Sequence, residues 1–564
     1  MSKRLRAVLA LAILAVLILT ACAPAAPEVE PTAQPAEEIE AGEEAEDAGE
    51  AEEGEAEEED AEGECVCGAD ITLGANGDAK IFNPILAMDS DGFWRTDLMF
   101  DSLVRVDPET LEVVGQLAES WEVSDDGTTY TFHLVDDDVR WHDGKPFTVE
   151  DIEYTMMEIL KPTYTGIFQE RFIDLVGAEA VIAGEADDLD GFEVVDDDTV
   201  QFKLEQPNAP FLAWAVSALK FLPKHLLEGE EITEDMPYSL APVGNGPYKF
   251  KEWEKGNRFV MERNEDYWGE EPCAKSITSM AIPDMQALAA AVEAGDIDMT
   301  IMVPPTEIAR LADTEGLAYY KQPAIGPESI YFNLDHPILQ DEKVRTAIAH
   351  AIDAEGFTVG VLQGSTDPAN THFTPASWAY DPSATLPEYD VEKAKQLLAE
   401  AGYEDGFEIR ITTNQGNFFR EHFVEFAQAE LAKIGIDVQV DKAEWGTFIG
   451  NVMDHNFDMC FYNEEGGVPD PDVMYEYFHT NGPNNYTGYS DPRVDELLEM
   501  GRVETDQQKR QDIYFEAQNI LNDALPTVPI FWRPNPLVAR DVFGDVQPSV
   551  IHTYGGIHNW CKGQ

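Results

Sequence analysis

The sequence predicts an α/β fold with one domain inserted into another, and three features carry that expectation. Strand-like and helix-like segments alternate from Asp390 to Tyr462. Short strands separated by polar turns occupy much of the stretch between residues 103 and 204. The chain has 564 residues, whereas a single hydrophobic core stops growing near ~250–300 residues. A hydrophobic content of 44% with 10% aromatic residues supplies enough apolar surface for more than one core and argues against overall disorder.

The first element is an export signal. Lys3, Arg4 and Arg6 give a positive start, and Ala7 to Leu19 is an unbroken apolar run of a secretion signal's length. Leu19-Thr20-Ala21-Cys22 follows and resembles the bacterial lipobox. That resemblance implies that residues 1–21 are removed and that the Cys22 thiol carries a diacylglycerol. The chain is then anchored to a membrane rather than spanning it. The competing reading is an uncleaved membrane helix, because residues 7 to 26 lack charge. Pro24 and Pro27, just beyond the cysteine, speak against it.

Residues 22–64 form the second element, the lipidated cysteine and an acidic tether. From Glu28 to Glu64 there are nineteen acidic residues, no Lys or Arg and no aromatic side chain. Such a segment buries too little apolar surface to offset its ordering entropy, and its like charges extend it. Gly42, Gly49 and Gly54 oppose a helix there.

Five cysteines remain after Cys22: Cys65, Cys67, Cys273, Cys460 and Cys561. Export permits disulfides. Bridges joining Cys65 or Cys67 to Cys273 and Cys561 would clamp both ends of the folded body to one domain. A metal site at Cys65-Val66-Cys67 is not expected, because no nearby His/Cys pair completes a ligand set.

In the early body, residues 103–107, 113–117, 129–134 and 199–204 read as short strands joined by turns such as Asp125-Asp126-Gly127. They suggest a mostly antiparallel subdomain. Residues 151–160 read as a helix, with Thr148 as N-cap of a capping box closed by Asp151. Later, Asp390 caps a helix with Val391, Ala394, Leu397, Leu398 and Ala401 on one stripe, ended by Gly402. Phe407, Ile409 and Ile411 alternate as a strand, Phe419, Phe423, Phe426 and Ile434 mark a second helix, and Ile436, Val438 and Val440 a second strand. After a short helix, residues 457–462 form a third strand. Such alternation implies a parallel or mixed sheet covered on both faces. Ligands bind beyond the carboxyl ends of such strands, which points at the segment after Tyr462.

The net charge of −74 excludes some function classes. Nucleic-acid binding needs Lys and Arg to displace counterions, and no basic run occurs after residue 6. Without residues 1–64 the charge is still −58, from 91 acidic and 33 basic residues. No phosphate-loop, zinc-protease or nucleophile-elbow motif occurs, so no catalytic residue, cofactor or metal is expected.

Four stretches together identify a family. They are Leu117-Ala118-Glu119-Ser120-Trp121-Glu122-Val123 through Asp125-Asp126-Gly127 to Tyr130-Thr131-Phe132; Trp141-His142-Asp143-Gly144-Lys145-Pro146-Phe147-Thr148 with Glu150-Asp151; Gly244-Asn245-Gly246-Pro247-Tyr248 through Trp253 to Arg263-Asn264 and Tyr267-Trp268; and Tyr331-Phe332-Asn333 leading to Val344-Arg345 and Ala349-His350-Ala351-Ile352-Asp353. In this order, across residues 70–545, the chain resembles the family-5 extracellular solute-binding proteins of ABC importers, which take oligopeptides, dipeptides, nickel or oligosaccharides. The resemblance implies a two-lobed, type II periplasmic-binding-protein-like clamp. Lobe I is then residues 65–323 plus 531–564, with the extra antiparallel subdomain at about 104–208. Lobe II is residues 324–530, and the chain crosses near Pro323 and near Phe531. A few crossing residues can absorb the rotation that closes the lobes on a solute.

The resemblance also carries ligand residues. In the family's peptide binders a lobe II Trp lies twenty-two residues before an Asp that pairs with the peptide ammonium. Trp445 matches the Trp, and that spacing lands on Gly467, in Gly467-Val468-Pro469-Asp470-Pro471, where the carboxylate is missing. A buried ammonium without an anionic partner is costly. Glu464 and Glu465 are therefore candidate substitutes, and an oligosaccharide held on aromatic faces is the alternative ligand. Asn463 follows the strand end. Asn245 and Gly246, together with Phe82, Trp94, Trp378 and Trp532, are further cleft candidates. Tyr248, Trp253 and Trp268 are expected to pack, and Asp470 and Pro471 to build a turn.

The expected protein is an exported, lipid-anchored monomer that hands a solute to permease and ATPase subunits, on the outer face of the cell membrane or in the periplasm. The alternatives are a surface hydrolase and a sensory or chaperone-like binder.

Overall fold

The computed structural model describes residues 67–562 apart from residues 137, 323, 325, 465, 467, 534, 545, 547, 548, 550, 552, 553, 555, 558 and 559. The export signal, Cys22, the tether, Cys65, Pro323, Glu465 and Gly467 lie outside the described residues.

Two large sheets organise the body, which forms one unit, Glu62–Gln564. The first has seven strands in the order Leu317–Gln322, Asn535–Arg540, Met299–Thr300, Asp70–Ala75, Ser276–Ala281, Arg258–Arg263 and Tyr248–Glu254. Asp70–Ala75 pairs in parallel with Ser276–Ala281, in register Ile71 to Ile277, and with Met299–Thr300; the other pairs are antiparallel. Ile71, Leu73 and Ile277 are buried, as alternation in a covered strand requires. We call this sheet and what packs on it lobe I.

The second sheet, of lobe II, has the order Ile436–Ala443, Phe407–Asn414, Met459–Asn463, Pro327–Phe332 and Thr527–Trp532. Phe407–Asn414 is parallel to both of its neighbours, whereas Pro327–Phe332 is antiparallel to both of its own. The sheet is therefore mixed. The helices around it start and stop as their termini dictate. Asp390 accepts from the Lys393 N–H to open Val391–Glu400, and Gly402 follows at φ +88°.

The chain passes between the sheets after Gln322 and again after Trp532. Phe531, placed at the second crossing by sequence, lies inside the last strand of lobe II. All six residues of Thr527–Trp532 are buried, and the Phe531 ring packs 5.4 Å from Phe357 and 6.0 Å from Phe461. At the crossings the Arg533 N–H donates to the Gly326 carbonyl at 3.1 Å.

A four-stranded antiparallel sheet, ordered Ala118–Val123, Thr129–Leu134, Thr199–Lys203 and Phe192–Asp196, packs into the lobe I core. Its two outer strands escaped the sequence reading because they are largely exposed and show no apolar alternation. The helix Val149–Ile159 carries the expected capping box: the Asp151 carboxylate accepts from the Thr148 N–H at 3.0 Å. The same carboxylate accepts from Trp141 Nε1 at 3.2 Å and the Lys224 N–H at 2.9 Å, tying three segments together.

Cys67 and Cys273 form a disulfide across 206 residues, Cys561 is also disulfide-bonded, and Cys460 is a buried free thiol. Closing so long a loop removes unfolded-chain entropy. The variant with both Cys67→Ser and Cys273→Ser is expected to lose roughly 2–5 kcal/mol. Urea unfolding followed by circular dichroism reads this as a lower midpoint, and an unchanged midpoint would show that the bond adds nothing.

Candidate functional site

The parallel strands of lobe II end together at Asn414, Ala443 and Asn463. Arg420 organises these ends from the helix Phe418–Ala432, whose N-cap is Asn417. Its Nε donates to Glu328 at 2.8 Å and its Nη2 to the other Glu328 oxygen at 3.1 Å. Further bonds reach Asn414 Oδ1 at 2.9 Å and Asn463 Oδ1 at 2.6 Å. Both charges are buried. A buried ion pair is tolerable only when its remaining hydrogen-bonding groups are met, as they are here. Burial pulls the guanidinium pKa down, but the Glu328 carboxylate more than offsets this and holds it above its ordinary value. The guanidinium also lies 4.7 Å from the Tyr462 ring centre.

Trp445 is 47% exposed at the start of the helix Trp445–Met453, its ring 6.0 Å from Tyr462 and 6.1 Å from Phe448. Asn463, through Arg420, lies beside the same tyrosine. Glu464 is turned inward. Its side chain is fully buried, with Oε2 2.7 Å from His372 Nδ1 and Oε1 accepting from the Thr527 hydroxyl at 2.6 Å. Both oxygens are engaged, so Glu464 is a poor replacement for the carboxylate absent at Gly467. Its N–H donates to the Pro327 carbonyl at 2.9 Å, directly after the first crossing. A side chain at Gly326 would strike the Glu464 carbonyl and the Gly466 amide, so the crossing and the loop after Asn463 are in close contact.

The remaining cleft candidates are held by contacts within the protein. Asn245 Oδ1 accepts from the Asp101 N–H at 3.0 Å. The Gly246 N–H donates to the Met99 carbonyl at 2.9 Å, and its own carbonyl lies 3.0 Å from His142 Nε2 and accepts from Asn264 Nδ2 at 3.2 Å. Burial pushes the His142 pKa down to about 4, keeping the ring neutral. Phe82 is fully buried against Phe259 and Trp253. Trp94 packs on Tyr554 and Arg95, and Trp378 on Tyr514 and Arg510. Trp532 sits in a small cluster with Ala324 and Ala369 beside the crossings.

A cavity of about 520 Å³ opens between the lobes. Lobe I lines it with Arg171, Asp174, Asn208, Phe211 and Trp214, the last two on the π-helical turn Phe211–Val216. Lobe II lines it with Tyr462, Asp472, Tyr475, Glu476, Tyr486 and Arg502. Asp472 and Arg502 pair at 2.9–3.1 Å, and the guanidinium lies 3.7 Å from the Tyr475 ring centre. The Ala209 N–H donates across the boundary to the Arg502 carbonyl at 2.8 Å. Apart from Tyr462's neighbours, none of these residues was singled out from sequence. They come from segments far apart in the chain, with no local pattern to mark them.

A second cavity of about 500 Å³ lies wholly within lobe I, against Asp101, Lys220, Tyr267 and Trp268. Burial pushes the Asp101 carboxyl up to about 6, against the opposing hydrogen bonds from Trp268 at 2.8 Å and Tyr267 at 3.2 Å.

Two lobes with two chain crossings and a cavity between them make a clamp, and comparison with known proteins places it. A model of the bacterial extracellular solute-binding proteins, family 5 (middle), matches residues 112–486. This chain belongs to that family. It is 29% identical over 491 residues to the oligopeptide-binding protein AppA of Bacillus subtilis, covering 83% of this chain and 87% of that one. It is 27% identical over 503 residues to a dipeptide-binding protein of Escherichia coli, covering 86% and 92%. The solved structure of the Bacillus subtilis AppA with a nonapeptide superposes with a TM-score of 0.76 at 26% identity, over 89% of this chain and 100% of that one. The fold is therefore the type II periplasmic-binding clamp, and the protein binds a solute rather than transforming one. It works outside the cytoplasm with an ABC transporter. No helix among the described residues is long and apolar enough to cross a membrane.

Asp101 provides a test of these electrostatics. Its folded pKa of about 6 exceeds the ordinary 3.8. The contribution of its protonated form to stability is thus fully present below about pH 3.8 and is lost as pH rises through about 6. The difference corresponds to about 3 kcal/mol. Asp101→Asn cannot titrate, so its stability relative to wild type should rise by about that amount between pH 3 and 7.5. Urea denaturation at both pH values measures it, and a constant difference would show an ordinary carboxyl.

Proposed function

We propose that this protein captures a peptide in the inter-lobe cavity and delivers it to the permease of an ABC importer. The observation that carries this reading is the cavity itself, walled by aromatic rings and paired charges from both lobes, in a chain whose solved relative holds a nonapeptide. Main-chain groups and apolar side chains of a peptide suit such walls. The lobes, divided after Gln322 and after Trp532, close by rotation at the crossings, and the ligand shifts that equilibrium. Trp445, Tyr462 and Asn463 form the lobe II side of the mouth. Cys22 carries the lipid that keeps the monomer at the cell surface, with the acidic residues 23–64 as its leash.

The aromatic walls also suit an oligosaccharide, which needs no carboxylate at position 467. Thermal unfolding in the presence of panels of di- to nonapeptides and of oligosaccharides separates the two. A ligand at a hundredfold its Kd adds about 2.7 kcal/mol, so a clear rise in Tm with peptides and none with sugars is expected. A rise confined to sugars would overturn the peptide reading.

The anchor is tested separately. The Cys22→Ser variant, expressed in a bacterial host, is expected to leave the membrane fraction for the soluble one, whereas wild type stays with detergent-extractable material. Equal partitioning of the two would refute lipidation at Cys22.

A further inference from the structure

One segment of lobe II, residues 366–374, grips both chain crossings. It is fixed to its own lobe at several points. The Ala369 N–H donates to the Ile530 carbonyl at 3.1 Å, and Pro368 forms an antiparallel bridge with Phe531. The Thr371 hydroxyl donates to Gln518 Oε1 at 2.9 Å, and His372 Nδ1 lies 2.7 Å from Glu464 Oε2. From this footing the segment reaches outward. At the first crossing the Thr374 hydroxyl donates to the buried Ala324 carbonyl at 2.6 Å. At the second, the Trp532 N–H donates to the Asp367 carbonyl at 3.1 Å, and the Trp532 carbonyl accepts from the Thr366 hydroxyl. Ala324 and Trp532, one residue from each crossing, also share a small apolar cluster with Ala369, and the Tyr380 ring packs on it 6.3 Å from Trp532. The Asp367 carboxylate extends beyond lobe II to Lys321 Nζ at 3.0 Å, on the lobe I strand Leu317–Gln322.

Two bare crossings would leave the lobe angle soft, because a few residues absorb the whole rotation. Here a third segment holds a carbonyl on each. A buried carbonyl that loses its donor bears the cost of the missing bond, so neither crossing bends freely away from residues 366–374. At the angle fixed in this way the lobes touch, with the Ala209 N–H bonded to the Arg502 carbonyl at 2.8 Å. We infer that residues 366–374 are a strap that sets the lobe angle, with Thr366 and Thr374 as positioning residues that favour the touching arrangement. None of its residues lines the inter-lobe cavity, so the strap acts on any solute through the population of the closed clamp. The inference holds whether that solute is a peptide or a sugar.

The test needs no ligand. Spin labels at Glu122→Cys in lobe I and Gln508→Cys in lobe II, both exposed positions, report the distance between the lobes of the mature chain by pulsed electron resonance. Thr366→Val and Thr374→Val keep the side-chain shape and remove the donor. Each should raise the ratio of separated to touching lobes by roughly 2- to 10-fold, read as a longer and broader distance distribution. Thr374→Ser keeps the hydroxyl and should retain the wild-type distribution. Thr155→Val is the control: it removes a buried hydroxyl bonded to the Asp151 carbonyl and the Leu222 N–H within lobe I, and should shift nothing. The exposed Asp367→Lys variant leaves the core intact and sets like charges against each other at Lys321, so it should lengthen the distance too. If a valine variant does not fold, Asp367→Lys decides alone. Unchanged distances in the valine variants or in Asp367→Lys, or an equal shift in Thr374→Ser or Thr155→Val, would overturn the strap.

Discussion

A guanidinium buried away from water holds lobe II in the shape that makes a binding edge. Arg420 is satisfied only if Glu328, Asn414 and Asn463 all stand where they do, and these residues come from three different strands. Glu328 lies just after the first crossing, whereas Asn414 and Asn463 close the two parallel strands that face the cleft. A missing partner would leave a buried charge exposed to a low-dielectric interior, a penalty of several kcal/mol. The same cation faces Tyr462, so the cavity wall, the strand ends and the first crossing share one fixed point.

Outward from that point, several residues of the family-defining motifs act as brackets. Asp151 joins Trp141, Thr148 and Lys224, and His142 joins Gly244 to Gly246. Asn333 ties its strand to the His455 and Phe457 carbonyls, and Arg345 caps the Ala524 and Leu525 carbonyls. Each satisfies buried backbone groups where elements meet without a regular ladder. Such residues announce the architecture.

That division explains what was legible in the sequence. Helix caps at Asp390 and Thr148, strand alternation at Phe407 to Ile411 and the mixed sheet of lobe II were readable because each rests on a local period or a local cap. The second crossing, expected near Phe531, follows Trp532. Phe82 and Trp94 were drawn toward the cleft by their residue type, which does not distinguish a core from a pocket. Trp214, Tyr475 and Arg502 carried no signal at all, since only the closing of two distant segments brings them together. Glu464 had the right chemistry and nearly the right place, but His372, ninety-two residues away, claims it.

The disulfide between Cys67 and Cys273 has a mechanical meaning as well. A pull on the chain at Cys67 is shared at once with the strand that begins at Ser276, next to the centre of the seven-stranded sheet. The load is borne by one half of the clamp, on covalent bonds. The other half, joined to it covalently among the described residues only through the two crossings, lies outside that load path.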